Sequence, residues 1–194
     1  GESADLIKNL FYAAWIRALE MLKLPAERIT GTFSLENQLP IGTGMGSSAA
    51  LCVAIGRFFV AQNLVEESEL LEFCRQIENI FHTESSGADI AVSIANQGIL
   101  FSRSKGFQPI KPVFKPNWFL SFSGTASSTS LCVQKVKDLF IQQPLLAEKL
   151  DLQMANSAEL ALKALTEASS DSLNLLALAI NQACQSFESW GLVE

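Results

Sequence analysis

Apolar residues recur every three to four positions along residues 5–24, which is the spacing of an amphipathic helix. Pro25 follows and predicts the end of this helix. Residues 47–64 are apolar nearly all round, and a helix of that kind is normally buried. Further helices are predicted from the same spacing over residues 66–82, 145–168 and 171–189. The chain is therefore expected to be rich in helix.

Two stretches have the residue types of strands, RITGTFSLE at 28–36 and WFLSFSG at 118–124. Between them the sequence predicts a short helix and a strand that ends near Phe101. Residues 103–117 contain three prolines and are expected to form a turn or an edge segment.

Three loops rich in glycine, serine and threonine stand between these elements. The first leads into the helix predicted to begin at Ser47, and the third leads into a helix predicted near Thr129. The second carries an isolated acidic residue, Asp89. Loops of this composition bring the backbone close to whatever lies beside them, so the candidate chemistry of the chain is expected there.

Hydrophobic content and net charge limit the classes of protein to which the chain can belong. The chain has 194 residues, of which 48% are hydrophobic, and its formal net charge is −6. This is enough apolar material for a core, and the acidic balance gives no electrostatic footprint for nucleic acid or anionic membranes. No apolar run approaches the roughly 18 residues of a membrane span, and the first residues lack a signal-peptide pattern. The sequence therefore predicts a cytoplasmic protein.

The cysteines and the single histidine limit the kinds of metal and thiol site that the chain could form. Each of the four cysteines lies in an apolar helical pattern without a C-x-x-C spacing, which predicts reduced core thiols. The single histidine, His82, excludes a site with two histidine ligands, so zinc catalysis is not expected.

The stretch LPIGTGMGSSAAL, residues 39–51, has the properties of a phosphate-binding loop. A helix N-terminus presents unpaired N–H groups and a partial positive charge, and anions bind there when side chains do not obstruct the approach. Gly42, Gly44 and Gly46 would clear that approach, and Ser47 and Ser48 add hydroxyls. The loop is neither a Walker A motif nor a dinucleotide fingerprint. A tight turn with ordinary serine caps is the alternative.

The pattern P-x-G-x-G-x-G-S-S-A-A, from Pro40 to Ala50, resembles the phosphate loop of the GHMP kinases. H-T-E-S-S-G-A-D-I-A-V-S at 82–93 resembles the H-G-x-P-S-G-x-D-x-x-x-S segment of the family's mevalonate kinase branch, from which Thr83 and Ser85 depart. S-G-T-A-S-S-T-S-L-C-V resembles the family's third small-residue loop. The three motifs occur in family order, and the resemblance covers most of the chain from about residue 5 onward.

The resemblance implies a role for individual residues. Asp89 matches the acid that faces the substrate hydroxyl, and Glu78 and Ser48 match the residues that hold Mg²⁺. The residues implied to bind the substrate are His82, Ser86, Gly87 and Thr129. The residues implied to bind ATP are Pro40, Gly42, Gly44, Met45, Gly46, Ser47, Ser48 and Ala49.

Simpler interpretations exist for the same residues. Glu78 and His82 are spaced to form a surface ion pair on one helix face. Asp89 could cap the short helix that follows it, and Thr129 could be only an N-cap.

The resemblance implies an α+β fold, a two-layer sandwich with a mixed sheet and helices on one side, plus the start of a helix-rich second domain. The expected domains are an incomplete ATP-binding domain over 1–143 and the beginning of a C-terminal-type domain over 144–194. The family's first strand, with its lysine, and its late glycine-rich motif have no match, so a fragment is expected. Unpaired strands would invite pairing with another chain, which makes a homodimer an open expectation.

The activity implied is transfer of the γ-phosphoryl group of ATP, with Mg²⁺, to the hydroxyl of mevalonate. Phosphomevalonate kinase or another GHMP small-metabolite kinase is the alternative within the family. A non-catalytic nucleotide-binding relative is the alternative outside enzymes, and a structural domain with tight glycine turns is a third. No nucleic-acid or membrane partner is expected.

Overall fold

The computed structural model describes residues 2–39, 44–81, 85–121 and 129–193. These residues divide into two compact units, Gly1–Gln108 and Pro109–Glu194. The predicted domain boundary at 143–144 falls inside the second unit. It stays a prediction, because compactness of contacts does not by itself define a family's domains.

The described residues of the first unit form the α-helices α1 (Glu2–Met21), α2 (Ser47–Ala61), α3 (Leu70–Glu78) and α4 (Ala88–Ala95). The strands β1 (Ile99–Ser102) and β2 (Gly106–Pro109) pair across a three-residue turn and are therefore antiparallel. The helices lie where the apolar spacing predicts them, although α3 starts later than expected, after a 3-10 turn at Glu67–Glu69.

The core of this unit lies mainly among α1, α2 and α3, and a row of aromatic rings runs through its aliphatic side chains. Trp15 of α1 packs on Phe59 of α2 with ring centroids 5.0 Å apart, and Phe59 meets Phe73 of α3 at 5.9 Å. Phe59 is fully buried. Burial of these rings and of the aliphatic side chains around them contributes to the stability of the unit.

The strand predicted over 28–36 is wrong. After a 3-10 turn at Ala26–Arg28 the backbone is irregular through Leu39. Phe33 is exposed but packs on Trp15 at 4.5 Å, so its side chain covers part of the core from outside without a strand. A strand requires a neighbour for its hydrogen-bond ladder, and the described residues supply none here.

Helices α2 and α3 run antiparallel and meet at matched positions one turn apart. Ser48 faces Glu78, Cys52 faces Cys74, and Gly56 faces Leu70 and Cys74. The Cys74 thiol lies 3.4 Å from the carbonyl oxygen of Cys52. The small residues on α2 let the two helices approach closely, and this approach places the polar pair at the end of an apolar seam.

The second unit contains α5 (Thr129–Gln142), α6 (Pro144–Thr166) and α7 (Ser172–Ser189). Helices α6 and α7 also pair antiparallel, since Gln153 donates to the carbonyl of Gln182 at 3.0 Å and Ser186 donates to that of Leu150 at 3.4 Å. Pro144 begins α6, where its missing N–H has no cost.

The strand predicted over 118–124 is wrong for its described part. Residues 118–121 are irregular, and Phe119 is 91% exposed. Here too the sequence has strand composition, but no described strand lies beside it. The α+β class itself is confirmed, with a sheet that consists, within the described residues, of β1 and β2.

The prediction of four core thiols is correct only in part. All four cysteines are free, and Cys52 and Cys74 are buried, but Cys132 is half-buried and Cys184 is exposed. Cys184 lies on the outward side of α7, so an apolar pattern did not indicate which face of the helix is covered. Among the described helices, none has the length and apolarity needed to cross a membrane.

Gly56→Ala should destabilise the protein. The new methyl carbon would lie 2.4 Å from the Cys74 sulfur and 2.7 Å from a Leu70 methyl, and both neighbours are buried. Overpacking of this kind costs about 1–3 kcal/mol, partly offset by the better helix propensity of alanine. Chemical denaturation measures the loss. The double variant Gly56→Ala/Cys74→Ala should lose less than the sum of its single variants, and simple additivity would contradict the steric explanation.

The rate of alkylation should distinguish the exposed thiol of Cys184 from the buried thiols of Cys52 and Cys74. Burial raises the pKa of Cys74 to about 12 and raises that of Cys52 further, and the nearby Glu78 carboxylate acts in the same direction. Little reactive thiolate therefore forms at either residue near pH 8. Peptide mapping after iodoacetamide treatment should find Cys184 modified well before Cys52 and Cys74, with all four modified in guanidinium. Equal rates in the folded protein would contradict the buried seam.

Candidate functional site

The first loop enters α2 through glycines in the left-handed region. Gly44 has φ +74° and Gly46 has φ +69°, and Gly46 is the N-cap of the helix. The helix begins at Ser47, as predicted. Gly46 has no side chain with which to cap α2, and within the described residues no side-chain cap hydrogen bond forms here. The alternative of an ordinary serine cap is therefore wrong.

The Ser48 hydroxyl is directed away from the backbone toward the end of α3. It donates to Oε1 of Glu78 at 3.3 Å. Glu78 is the last residue of α3 and only 3% exposed. Two residues that are 30 positions apart in sequence, and that the motif comparison assigns to one metal, therefore lie in contact.

Ser85 approaches the same carboxylate from the other side. Its hydroxyl donates to Oε2 of Glu78 at 2.5 Å and accepts the N–H of Gly87 at 3.1 Å. Its own N–H donates to the Asn79 side chain at 2.8 Å, and its carbonyl accepts from Arg103 at 3.0 Å. Ser85 is 5% exposed. This one residue therefore joins the end of α3, the start of α4 and the turn of the hairpin.

Helix α4 begins after another left-handed glycine, Gly87, with φ +83°. Asp89 lies in its first turn and is exposed. Because the N-cap is Gly87, the interpretation of Asp89 as the cap is wrong. Ser86 is exposed and its hydroxyl accepts the N–H of Ala88 at 3.2 Å. The carboxylate of Asp89 is thus held near a helix N-terminus with access from solvent, and α4 packs against α2.

A cleft of about 450 Å³ opens between α3, the start of α4 and the hairpin. Its polar lining includes Glu72, Arg75 and Arg103, together with Ser86 and Gly87. Arg75 donates to both oxygens of Glu72 at 2.7 Å. These bonds lower the pKa of Glu72, and the charge of Arg103 acts in the same direction. The three side chains together leave the cleft with one net positive charge.

Sequence reasoning missed Ser85 and Arg103. Ser85 stood out only as a departure from the family motif, and nothing in its neighbours indicated that it is buried. Arg103 lies beyond the second motif, which ends at Ser93. The hairpin turn brings it back beside the second loop, and only the pairing of β1 with β2 reveals this.

The other predicted site residues are placed as follows. Met45 is exposed and Ala49 is buried in the first turn of α2. Thr129 is the first residue of α5 in the second unit, and its role stays a prediction. Pro40, Gly42 and His82 lie outside the described residues, and so does the ion pair considered between Glu78 and His82.

The Ser48–Glu78 pair fits an octahedral cation with oxygen ligands. Neighbouring ligands of Mg²⁺, each at about 2.1 Å from the ion, lie roughly 3 Å apart. The 3.3 Å separation of the two oxygens is close to that value. Within the described residues, no group of three or more His, Cys, Asp or Glu side chains converges on one point. A cation here would therefore take its remaining ligands from water or from a bound phosphate.

Residues 9–97 match the model of the GHMP kinases N terminal domain. This segment is therefore similar to the N-terminal domain of the GHMP kinases. The matched segment includes α2, α3 and α4, so Ser48, Glu78 and Ser85 all lie within it.

Curated proteins similar to this chain carry the name mevalonate kinase. The chain is 29% identical over 150 residues to that of Pyrococcus horikoshii, covering 76% of this chain and 43% of the relative. It is 31% identical over 132 residues to that of Thermococcus sibiricus, covering 66% of this chain and 38% of the relative. The chain thus spans less than half the length of these relatives. No solved structure matches it.

Proposed function

We propose that the complete protein containing this chain transfers the γ-phosphoryl group of ATP to the hydroxyl of a small alcohol, with mevalonate as the acceptor. The observation that carries the proposal is the contact of Ser48 with buried Glu78 directly at the start of α2. It joins a helix N-terminus suited to phosphate with an oxygen pair suited to Mg²⁺. The family match and the mevalonate kinase relatives support a small-molecule kinase.

The nucleotide would bind at the first turn of α2. Unpaired amides and the helix dipole favour a negative charge there. Gly44 and Gly46 present no Cβ, and the space beside each of them is open for 4 Å around the position a Cβ would take. A triphosphate could therefore approach the backbone closely. Pro40, Gly42, Met45, Ser47 and Ala49 complete the proposed ATP-binding stretch.

Mg²⁺ would be held by Glu78 and Ser48. When bound between phosphates, the ion neutralises charge that accumulates during phosphoryl transfer. The protein contributes a buried carboxylate whose two oxygens already have fixed neighbours, Ser48 and Ser85. These two contacts fix the direction of the carboxylate, which is nearly inaccessible to water.

Asp89 would orient the acceptor hydroxyl and take its proton. Its place in the first turn of α4 gives a fixed backbone, and its exposure leaves room for a substrate. A carboxylate is a weak base near neutral pH, so its main contribution is positioning, with proton transfer late in the reaction.

The acceptor would extend toward the cleft beside Ser86 and Gly87. Arg75 and Arg103 in its lining suit an acceptor with an anionic group, as mevalonate has in its carboxylate. His82 and Thr129 are further proposed substrate contacts. Arg103 also favours a second candidate, phosphomevalonate kinase. A phosphorylated acceptor carries more negative charge than mevalonate and needs additional cations beside it. The acidic net charge supports a cytoplasmic protein without a nucleic-acid partner.

The first test is ADP release by the complete reading frame, assayed with mevalonate, phosphomevalonate, galactose and homoserine. Mevalonate should give the highest kcat/KM. Asp89→Asn should lower kcat by about 10²–10⁴-fold, the usual contribution of a general base. Asp151→Asn, a change at an exposed position of α6, is the matched control and should not alter kcat. Absence of turnover with all four acceptors, or an Asp89→Asn variant as fast as the parent, would contradict the proposal.

The second test separates strain from nucleotide binding at the first loop. Gly46 and Gly191 share φ +69° and open space around the position of a Cβ, but only Gly46 precedes α2. Either change to alanine should cost about 1–2 kcal/mol of unfolding free energy from left-handed strain. Only Gly46→Ala should also weaken ATP binding, measured by calorimetry. Equal ATP affinities in the two variants would show that the loop is only a turn.

A further inference from the structure

Glu78 is held by one hydroxyl on each of its oxygens. Ser48 contacts Oε1 from α2, and Ser85 contacts Oε2 from the loop before α4. Each serine therefore donates to a different oxygen of the carboxylate. If Oε2 is occupied by Ser85, Oε1 is the oxygen that faces Ser48 and the start of α2.

The hydroxyl of Ser85 has a consistent set of partners. A serine hydroxyl has one proton to donate and two lone pairs to accept with. Its proton goes to Glu78, and one lone pair takes the N–H of Gly87. If the proton pointed elsewhere, Oε2 of the buried carboxylate would lose this donor. The surroundings therefore determine the orientation of the hydroxyl.

The backbone of Ser85 is fixed at both of its polar groups. Asn79, at the end of α3, accepts its N–H, and Arg103, in the hairpin turn, donates to its carbonyl. With its burial, these contacts hold the side chain in one place. A residue held in this way can impose a direction on Glu78.

We propose that Ser85 is a positioning residue, which fixes the carboxylate of Glu78 so that Oε1 and the Ser48 hydroxyl together receive the divalent cation. This inference rests on the proposed function. It goes beyond it by assigning a role to a residue that the motif comparison marked only as a departure. Hydrogen bonds to the ligands of a metal typically contribute 10–100-fold in metal affinity or activity.

The same hydroxyl couples Glu78 to α4. The N–H of Gly87 that it accepts belongs to the N-cap of the helix that carries Asp89. A change in the direction of Glu78 would therefore be transmitted to the helix of the proposed base. The positions of the metal ligand and of the base thus depend on one oxygen atom.

The test measures ADP affinity of the complete protein by calorimetry in EDTA and in Mn²⁺. The gain in affinity that Mn²⁺ provides should fall by about 10-fold or more in Ser85→Ala, while the affinity in EDTA stays unchanged. Ser85→Thr, which keeps the hydroxyl, should retain most of the gain. Ser104→Ala removes an exposed hydroxyl from the hairpin turn and is the matched control. In turnover assays the Mg²⁺ concentration for half-maximal rate should rise for Ser85→Ala alone.

Failure of the positioning role and failure of the proposed function would give different results. A Ser85→Ala variant with the full Mn²⁺ gain, beside a Glu78→Gln variant that loses it, would overturn the positioning role and leave the proposed function intact. Loss of ADP affinity in EDTA as well would indicate a general structural defect and also count against the role. If Ser85→Ala does not fold by circular dichroism, Ser85→Cys, similar in size and a poor donor, must show the same selective loss. A parent protein that binds no ADP would overturn the proposed function itself.

Discussion

A carboxylate buried at the end of a helix is the constraint on which the first unit depends. Glu78 is nearly inaccessible to water, and a charge in that position requires donors from the protein in place of solvent. Ser48 and Ser85 supply them from opposite sides. Because these donors come from α2 and from the loop before α4, satisfying one side chain brings together the chain segments whose sequence resembles a kinase site.

The apolar packing sets the geometry of that contact. Helices α2 and α3 meet through small residues at Gly56 and Cys52, and each step of one turn brings the next pair into register. Ser48 and Glu78 are the last step of this series, at the point where the aromatic core ends. A side chain larger than serine on α2 would separate the helices there, so the core determines the distance between the two oxygens as much as the polar residues do.

Sequence alone gave much of the helical framework and the first half of the site. The start of α2 at Ser47 followed from glycines before an apolar run, and the contact of Ser48 with Glu78 followed from the family motifs. The strands were less predictable. RITGTFSLE has strand composition, but a strand depends on a neighbour elsewhere in the chain, and Phe33 packs on Trp15 without one. Ser85 and Arg103 could not be assigned for a related reason: burial and the return of a hairpin are properties of tertiary structure, and neither leaves a local spacing pattern.

The amides around the second loop have unusual acceptors. The N–H groups of Ser85 and Gly87 donate to side-chain oxygens, of Asn79 and Ser85 respectively, instead of to backbone carbonyls of a helix or sheet. Their protection from exchange with solvent deuterium therefore depends on two side chains close to Glu78, at the end of α3 and the start of α4, and not on hydrogen bonds within a helix or sheet. The exchange rates of these two amides therefore measure how often the hydrogen bonds beside the Glu78 carboxylate break.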